Sequence, residues 1–244
     1  MLVGEGGHAA LAQGLVTVIN IHHFDDLCIY PEGHKERFLA LWRHISKRYA
    51  NHDAKLYFEL YNEPHDALYG DRWNAYAAEA VAIIRETNPA RTIVIGPGNW
   101  NRLTQFHELE LPHDDHIVAT FHYYDPFPFT HQGAEWVEGS REWMGTTWND
   151  TAIERRMLAF DMEMARMWAE EQGVELFMGE FGAYSQADMA SRERWTRAVV
   201  EEAESRGIAW AYWEFGAGFG VYDRKEAAFR EPLLRAMMIA HPDD

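Results

Sequence analysis

Short runs rich in Val, Ile, Phe and Tyr alternate along this chain with longer segments of helical period, the pattern of βα units around a parallel sheet. Six runs read as strands, over residues 16–22, 56–62, 91–97, 117–123, 175–180 and 208–214. Segments 31–49, 71–87, 151–172 and 187–206 read as helices. Gly173 and Gly207 fall where a helix C-terminus favours a left-handed residue. Residues 102–109 are a shorter helical candidate. No close internal repeat, low-complexity run or Pro/Gly-rich linker marks a boundary, so residues 1–244 read as a single α/β domain.

Polar and aromatic residues follow these strands rather than precede them. Glu63 ends the run LYFELYNEP and Glu180 lies in ELFMGEFG; His22-His23, Asn99-Trp100-Asn101, His122-Tyr123-Tyr124 and Trp213-Glu214 hold the corresponding positions elsewhere. Parallel barrels and sheets carry their active sites at the C-terminal ends of the strands, so the pattern points to one shared cleft. Two carboxylates on one rim suggest glycoside cleavage, in which one carboxyl protonates the departing oxygen and the other meets the oxocarbenium-like carbon. A single strand-end Glu is more often a solvated residue or a helix cap than a catalyst. The pair, each with polar neighbours, is what favours chemistry.

Charge narrows the partners. Lys and Arg total 22 against 39 Asp and Glu, and a net charge of -17 repels nucleic acid and anionic membranes at long range. No stretch approaches the roughly 18 apolar residues of a membrane span, and residues 1–14 lack the basic segment and apolar run of a signal peptide. The lone Cys28 forms no internal disulfide and argues against a cysteine-ligated zinc. His22, His23, Asp25, Asp26 and His122 resemble a metal-ligand set. Adjacent His22 and His23 point to opposite faces of a strand, so neither a metal nor another cofactor is expected. No Gly-rich phosphate loop follows a strand. Residues 123–148 break the compact spacing and carry Phe127, Phe129, Trp136, Trp143 and Trp148, which read either as a binding loop or as an aromatic-pinned surface loop.

On these motifs the sequence resembles glycoside hydrolase family 5, the cellulase-type members of the clan A (β/α)8 barrels. The words that carry the likeness are NEP at 62–64, HxY at 122–124, GEFG at 179–182, the HH ending the first visible strand, and WEFG at 213–216. The resemblance implies a TIM-type barrel and a retaining endo-β-1,4-glucanase. Glu63 is then the acid/base and Glu180 the nucleophile. Asn62 bonds the sugar 2-hydroxyl, His122 and Tyr124 flank the two glutamates, His22 donates to substrate, and Trp213 floors the subsite of the reacting sugar. His22 as a rim histidine, Tyr124 as a packing residue and Trp213 as core are the alternatives; His23 reads as structural, and Trp100 as either a sugar platform or a wall.

The chain also departs from the family. A full barrel has eight βα units in roughly 250 residues, whereas six are visible here. The run VTVINIHH resembles the family's third strand, so the expectation is an incomplete barrel lacking the first two units, with no counterpart to the family's arginine beside the nucleophile. Strand edges so exposed call for cover, either by six-stranded closure or by a homo-oligomer. A β-glucan polysaccharide or oligosaccharide is the expected partner. A β-mannanase is the alternative substrate reading, and a binding or self-associating remnant the alternative of another class. The family is usually exported and no export signal is visible, which leaves localisation open.

Overall fold

The structure, a computed structural model, describes residues 5–238 of the 244. The first four residues of the 1–14 stretch read above for export signals lie outside the described residues. The described chain falls into two compact units. One comprises residues 5–121 with 173–175, the other residues 122–172 and 176–238.

The first unit contains strands β1 (Thr17–Asn20), β2 (Leu56–Glu59), β3 (Ile93–Ile95) and the first five residues of β4 (Ile117–Tyr123). All its pairings are parallel, in the order β1-β2-β3-β4, with Thr17 opposite Leu56, Phe58 opposite Ile93, and Ile93 opposite Ile117. Parallel neighbours need crossovers, which the Pro31–Arg48 and Gly70–Arg85 helices supply. Pro31 starts the first of these with its φ already near the helical value. Phe38, Leu39 and Trp42 from that helix, Trp73, Ala77, Ala80 and Ile84 from the next, and Phe58 and Leu60 from β2 and its continuation are buried. The indole N–H of Trp42 donates to the Leu60 carbonyl at 3.0 Å and that of Trp73 to Gly96 at 2.8 Å, so both large side chains are satisfied as well as packed. The buried Arg91 guanidinium donates to the carbonyls of Tyr49, His52, Asp53 and Leu56, tying the turn before β2 to the start of β3.

The second unit contains β5 (Glu175–Phe181) from its second residue onward, and β6 (Ala209–Trp210), paired in parallel with Phe177 opposite Ala209. The Ala152–Gln172, Met189–Glu204 and Glu231–Met237 helices belong to it, as does a small antiparallel hairpin of β7 (Tyr222–Asp223) and β8 (Ala228–Phe229). Asp188 caps the Met189–Glu204 helix by accepting from the Ser191 N–H at 2.8 Å. Trp195, buried on this helix, stacks against Tyr123 and donates its indole N–H to the Asp125 carbonyl at 3.0 Å.

All six expected strands are present, each running in parallel, and the four long helices match within two residues at each end. Gly173 and Gly207 adopt φ of 68° and 69°, the left-handed values expected after helix ends. Two differences matter. Two strands stop short of their polar ends: β1 finishes at Asn20 and β2 at Glu59, so His22, Asn62 and Glu63 emerge from the ladder onto irregular backbone. β6 is likewise two residues long, although the Ala211 and Trp213 N–H groups still donate to the Met178 and Phe181 carbonyls. The Glu5–Ala12 helix was not expected. Gly6 and Gly7 suppress its sequence signal, and its place beside β1 is a tertiary effect. Segment 102–109 forms a 3-10 helix over Leu103–Glu108.

Candidate active site

The first unit holds His22, Asn62 and Glu63. The Asn62 N–H donates to the Ile21 carbonyl at 3.0 Å, which sets the ends of β1 and β2 side by side and brings His22 next to Asn62 and Glu63. Glu63 sits at φ 53°, a left-handed value uncommon for a residue with a side chain. Such strain persists only where the surroundings over-determine it, and it concentrates at functional sites. Asn62 is buried and Glu63 half-buried.

Beneath His22 lies a pair that the sequence reading missed. Glu59 is a buried carboxylate, and Asn20 donates to it at 2.8 Å while its amide nitrogen lies 3.4 Å from His22 Nδ1. A charged residue inside the apolar run LYFEL was the available signal. His23 meets His22 edge to face at 4.6 Å.

Trp100 stands on a backbone of unusual hand. Asn99 (φ 55°, ψ 53°), Trp100 (φ 62°, ψ 44°) and Asn101 (φ 52°) form a left-handed turn of three non-glycine residues. The Trp100 N–H donates to the Pro64 carbonyl at 3.0 Å, and its indole stacks on His65 with centroids 5.2 Å apart and planes parallel to 1°. Asn101 is buried over Gly96, where a Cβ would stand 2.4 Å from its Oδ1. The exposed Trp100 thus flanks an open pocket of about 320 Å³ lined with Asp66, Tyr69, Asn99 and Gln105. Cys28, also in this unit, is a buried free thiol. Burial pushes its thiol pKa up, and it donates to the Tyr61 hydroxyl.

The second unit brings His122, Tyr124, Glu180 and Trp213 together. Glu180, near the end of β5, is buried to 9% exposure. The Tyr124 hydroxyl donates to its Oε2 at 2.8 Å, and His122 Nδ1 lies 3.5 Å from the same oxygen. Tyr124 is fixed in turn by the His131 and Phe219 rings and by Thr130 Oγ1, which donates to its carbonyl. Trp213 and Tyr124 both pack on the buried cluster of Ala134, Tyr184 and Phe219. Gly182 passes so close to Trp213 that a Cβ there would lie 2.2 Å from the Trp213 carbonyl oxygen.

Glu214, next to Trp213 at the end of its strand, is engaged within its own segment. Its two oxygens accept from the N–H groups of Gly216, Ala217 and Phe219, so the charge organises its own loop. The peptide between Trp213 and Glu214 is cis. The 123–148 segment is pinned from within by buried Phe129 and Trp148, and by Gln132, which donates to the Phe129 and Thr146 carbonyls. It nevertheless presents an exposed Trp136, edge-on to Tyr184 at 5.0 Å. The Tyr184 hydroxyl donates to Glu135 at 2.8 Å, a bond that holds the Glu135 pKa below its ordinary value.

The chain matches the family model described as Cellulase (glycosyl hydrolase family 5) over residues 2–218. It is 32% identical over 235 residues to Endoglucanase H of Acetivibrio thermocellus, covering 93% of this chain but 25% of that protein. To Endoglucanase C of the same organism it is 30% identical over 257 residues, covering 91% of this chain and 75% of the relative. Among solved structures it resembles Thermotoga maritima Cel5A in complex with cellobiose, with a TM-score of 0.94 and 43% identity over 97% of this chain and 77% of that one. The mannotriose complex of that protein gives the same figures.

Proposed function

Because the chain belongs to the cellulase family, glycosyl hydrolase family 5, whose fold is an α/β TIM-type barrel here represented by six βα strands, we propose that it is a retaining endo-β-1,4-glucanase working through Glu63 and Glu180. In this reading Glu63 gives its proton to the glycosidic oxygen as Glu180 attacks the anomeric carbon. The reducing-end fragment leaves and a glycosyl-enzyme ester remains. Glu63, now a carboxylate, takes a proton from water, which attacks the same carbon, breaks the ester and restores both groups with retained configuration. The mechanism asks for the two carboxyls about 5 to 5.5 Å apart. Asn62 bonds the sugar 2-hydroxyl, His22 and His122 contact substrate, Tyr124 holds Glu180 and Trp213 floors the reacting sugar.

The observation that carries the reading is the environment of Glu180. A buried carboxylate with a hydroxyl donor at 2.8 Å is held in one orientation, as an attacking nucleophile must be. The test is reducing-sugar release from carboxymethyl cellulose by the purified chain, with Glu63→Gln and Glu180→Gln in parallel. Release that both substitutions abolish supports the assignment, and wild-type turnover in either folded variant refutes it. Loss of soluble substrate without turnover points instead to a carbohydrate-binding remnant.

The substrate within the family is a second question, because the Thermotoga relative is described with both cellobiose and mannotriose. Running β-1,4-mannan beside the glucan decides between endoglucanase and β-mannanase. Self-association also stands as a proposal. The Ala152–Gln172 helix leaves Ile153, Met157, Phe160, Met164 and Met167 exposed at alternating four- and three-residue spacing, the seam of a helix that packs on another. Sedimentation of a monomer at all concentrations would remove it.

A further inference from the structure

Beyond Trp213 the second unit carries an exposed aromatic shelf that none of the roles above employs. Phe215 is 58% exposed and Phe229 44%, with Tyr222 half-buried between them. Phe215 stacks on Tyr222 with centroids 5.0 Å apart and planes within 11°. Phe229 meets Tyr222 edge to face at 5.3 Å and Phe215 at 6.2 Å. A packed core does not explain three rings left open to water at this density.

The shelf is built on rigid backbone. The Tyr222 N–H donates to the Phe215 carbonyl at 2.7 Å, and the Val221 N–H to Glu214 at 3.0 Å. The Arg230 guanidinium donates to the Gly220 and Tyr222 carbonyls and to Asp223, closing the β7–β8 hairpin from below. The buried Arg192 guanidinium and the Tyr212 hydroxyl both donate to the Phe219 carbonyl, and Glu214 takes the three N–H groups of the connecting loop. The rings are therefore positioned before any ligand arrives, so little ordering entropy opposes binding.

We propose that Phe215, Tyr222 and Phe229 form a binding platform for sugar units of a β-glucan chain that extends past the residue seated on Trp213. The proposal rests on the reading of Trp213 as the floor of the reacting subsite, and it names a length preference that this reading does not supply. Phe215 is two residues from Trp213, and the loop that leads from Phe215 to Tyr222 is the one locked by Glu214, so the platform adjoins Trp213 along the backbone. The patch is wholly aromatic, which suits the C–H faces of pyranose rings. Its rim carries the opposite charges of Asp223, Arg224 and Arg230, which suit neutral hydroxyls rather than an ion of either sign.

The test measures dissociation constants of cellotriose and cellohexaose with Glu180→Gln chain, alone and combined with Phe215→Ala, Phe229→Ala or Phe215→Trp. The expected result is tighter binding of the hexamer than of the trimer. Either alanine should cut hexamer affinity about tenfold with the trimer unchanged, and Phe215→Trp should restore it. Equal loss for both lengths, or no loss for either, overturns the platform. An altered sedimentation coefficient in the alanine variants with unaltered sugar binding overturns it in favour of a copy interface. Hydrolysis by the wild type that Glu180→Gln abolishes, beside hexamer binding indifferent to both alanines, would sink the platform while leaving the two-glutamate reading intact.

Discussion

The Tyr124 hydroxyl donates to Glu180 Oε2 at 2.8 Å, across 56 residues of sequence, while His122 Nδ1 stands 3.5 Å from the same oxygen. One carboxylate oxygen thus faces two side chains from the end of β4. Hydrogen bonds to a charged group contribute about 1.5 to 3 kcal/mol, so Tyr124→Phe should lower kcat roughly 10- to 100-fold with KM little changed. A fall confined to KM would show that Tyr124 serves substrate binding and not the orientation of Glu180.

Gly182 is fixed by proximity rather than by φ. A Cβ at this position would meet the Trp213 carbonyl oxygen at 2.2 Å and Phe219 Cδ1 at 3.3 Å, and backbone cannot swing aside as a flexible side chain can. Gly182→Ala should therefore displace Trp213, destabilise the fold by about 1 to 3 kcal/mol and reduce kcat/KM at least tenfold. Wild-type turnover with an unaltered tryptophan emission spectrum would contradict this placement of Trp213.

Acid sensitivity should trace in part to Asp114. Arg85 donates to it twice, at 2.6 and 2.8 Å, and the His116 N–H adds a third bond, so its pKa lies below the ordinary aspartate value. A carboxyl depressed in the folded state stabilises the protein above its unfolded pKa, about 3.9, and that contribution fades as pH falls from there through the folded value. Asp114→Asn should cost about 1 to 3 kcal/mol near pH 6 and progressively less below pH 4. Urea midpoints for both proteins at pH 6, 4 and 3 make the comparison; a gap that does not shrink in acid argues against the pair.

Trp73 combines burial with a hydrogen bond to the Gly96 carbonyl at the end of β3. Phenylalanine fills most of the space but orphans that carbonyl. Trp73→Phe should cost about 1 to 3 kcal/mol in denaturant unfolding, and a neutral result would mean that water replaces the indole there.

The fold was legible because burial on both faces of a parallel strand leaves continuous apolar runs, as in the stretches around Phe58, Val94 and Phe121. Helix ends were legible for an equally local reason, the demand for φ above zero met by Gly173 and Gly207. The site was legible only as a set of residues. That Glu63 and Trp100 stand on left-handed backbone follows from long-range bonds such as Trp100 N–H to Pro64, which leave no mark in a run of ten letters. The engagement of Glu214 was illegible for the same reason, since a carboxylate facing a cleft and one consumed by three N–H groups of its own loop are spelled alike. Glu59 was overlooked because it lies within an apolar strand, where its partner Asn20 comes from the neighbouring strand.

The left-handed turn at 99–101 has a practical meaning for anyone who transplants binding surfaces between barrels. The direction of the Trp100 indole is a property of three inverted backbone residues and of the Pro64 carbonyl on which they dock. A tryptophan substituted by itself at another scaffold's strand end would arrive on right-handed backbone and aim elsewhere. The portable module is the whole turn together with its landing point beside Glu63, and a graft that carries less than this moves a side chain without its address.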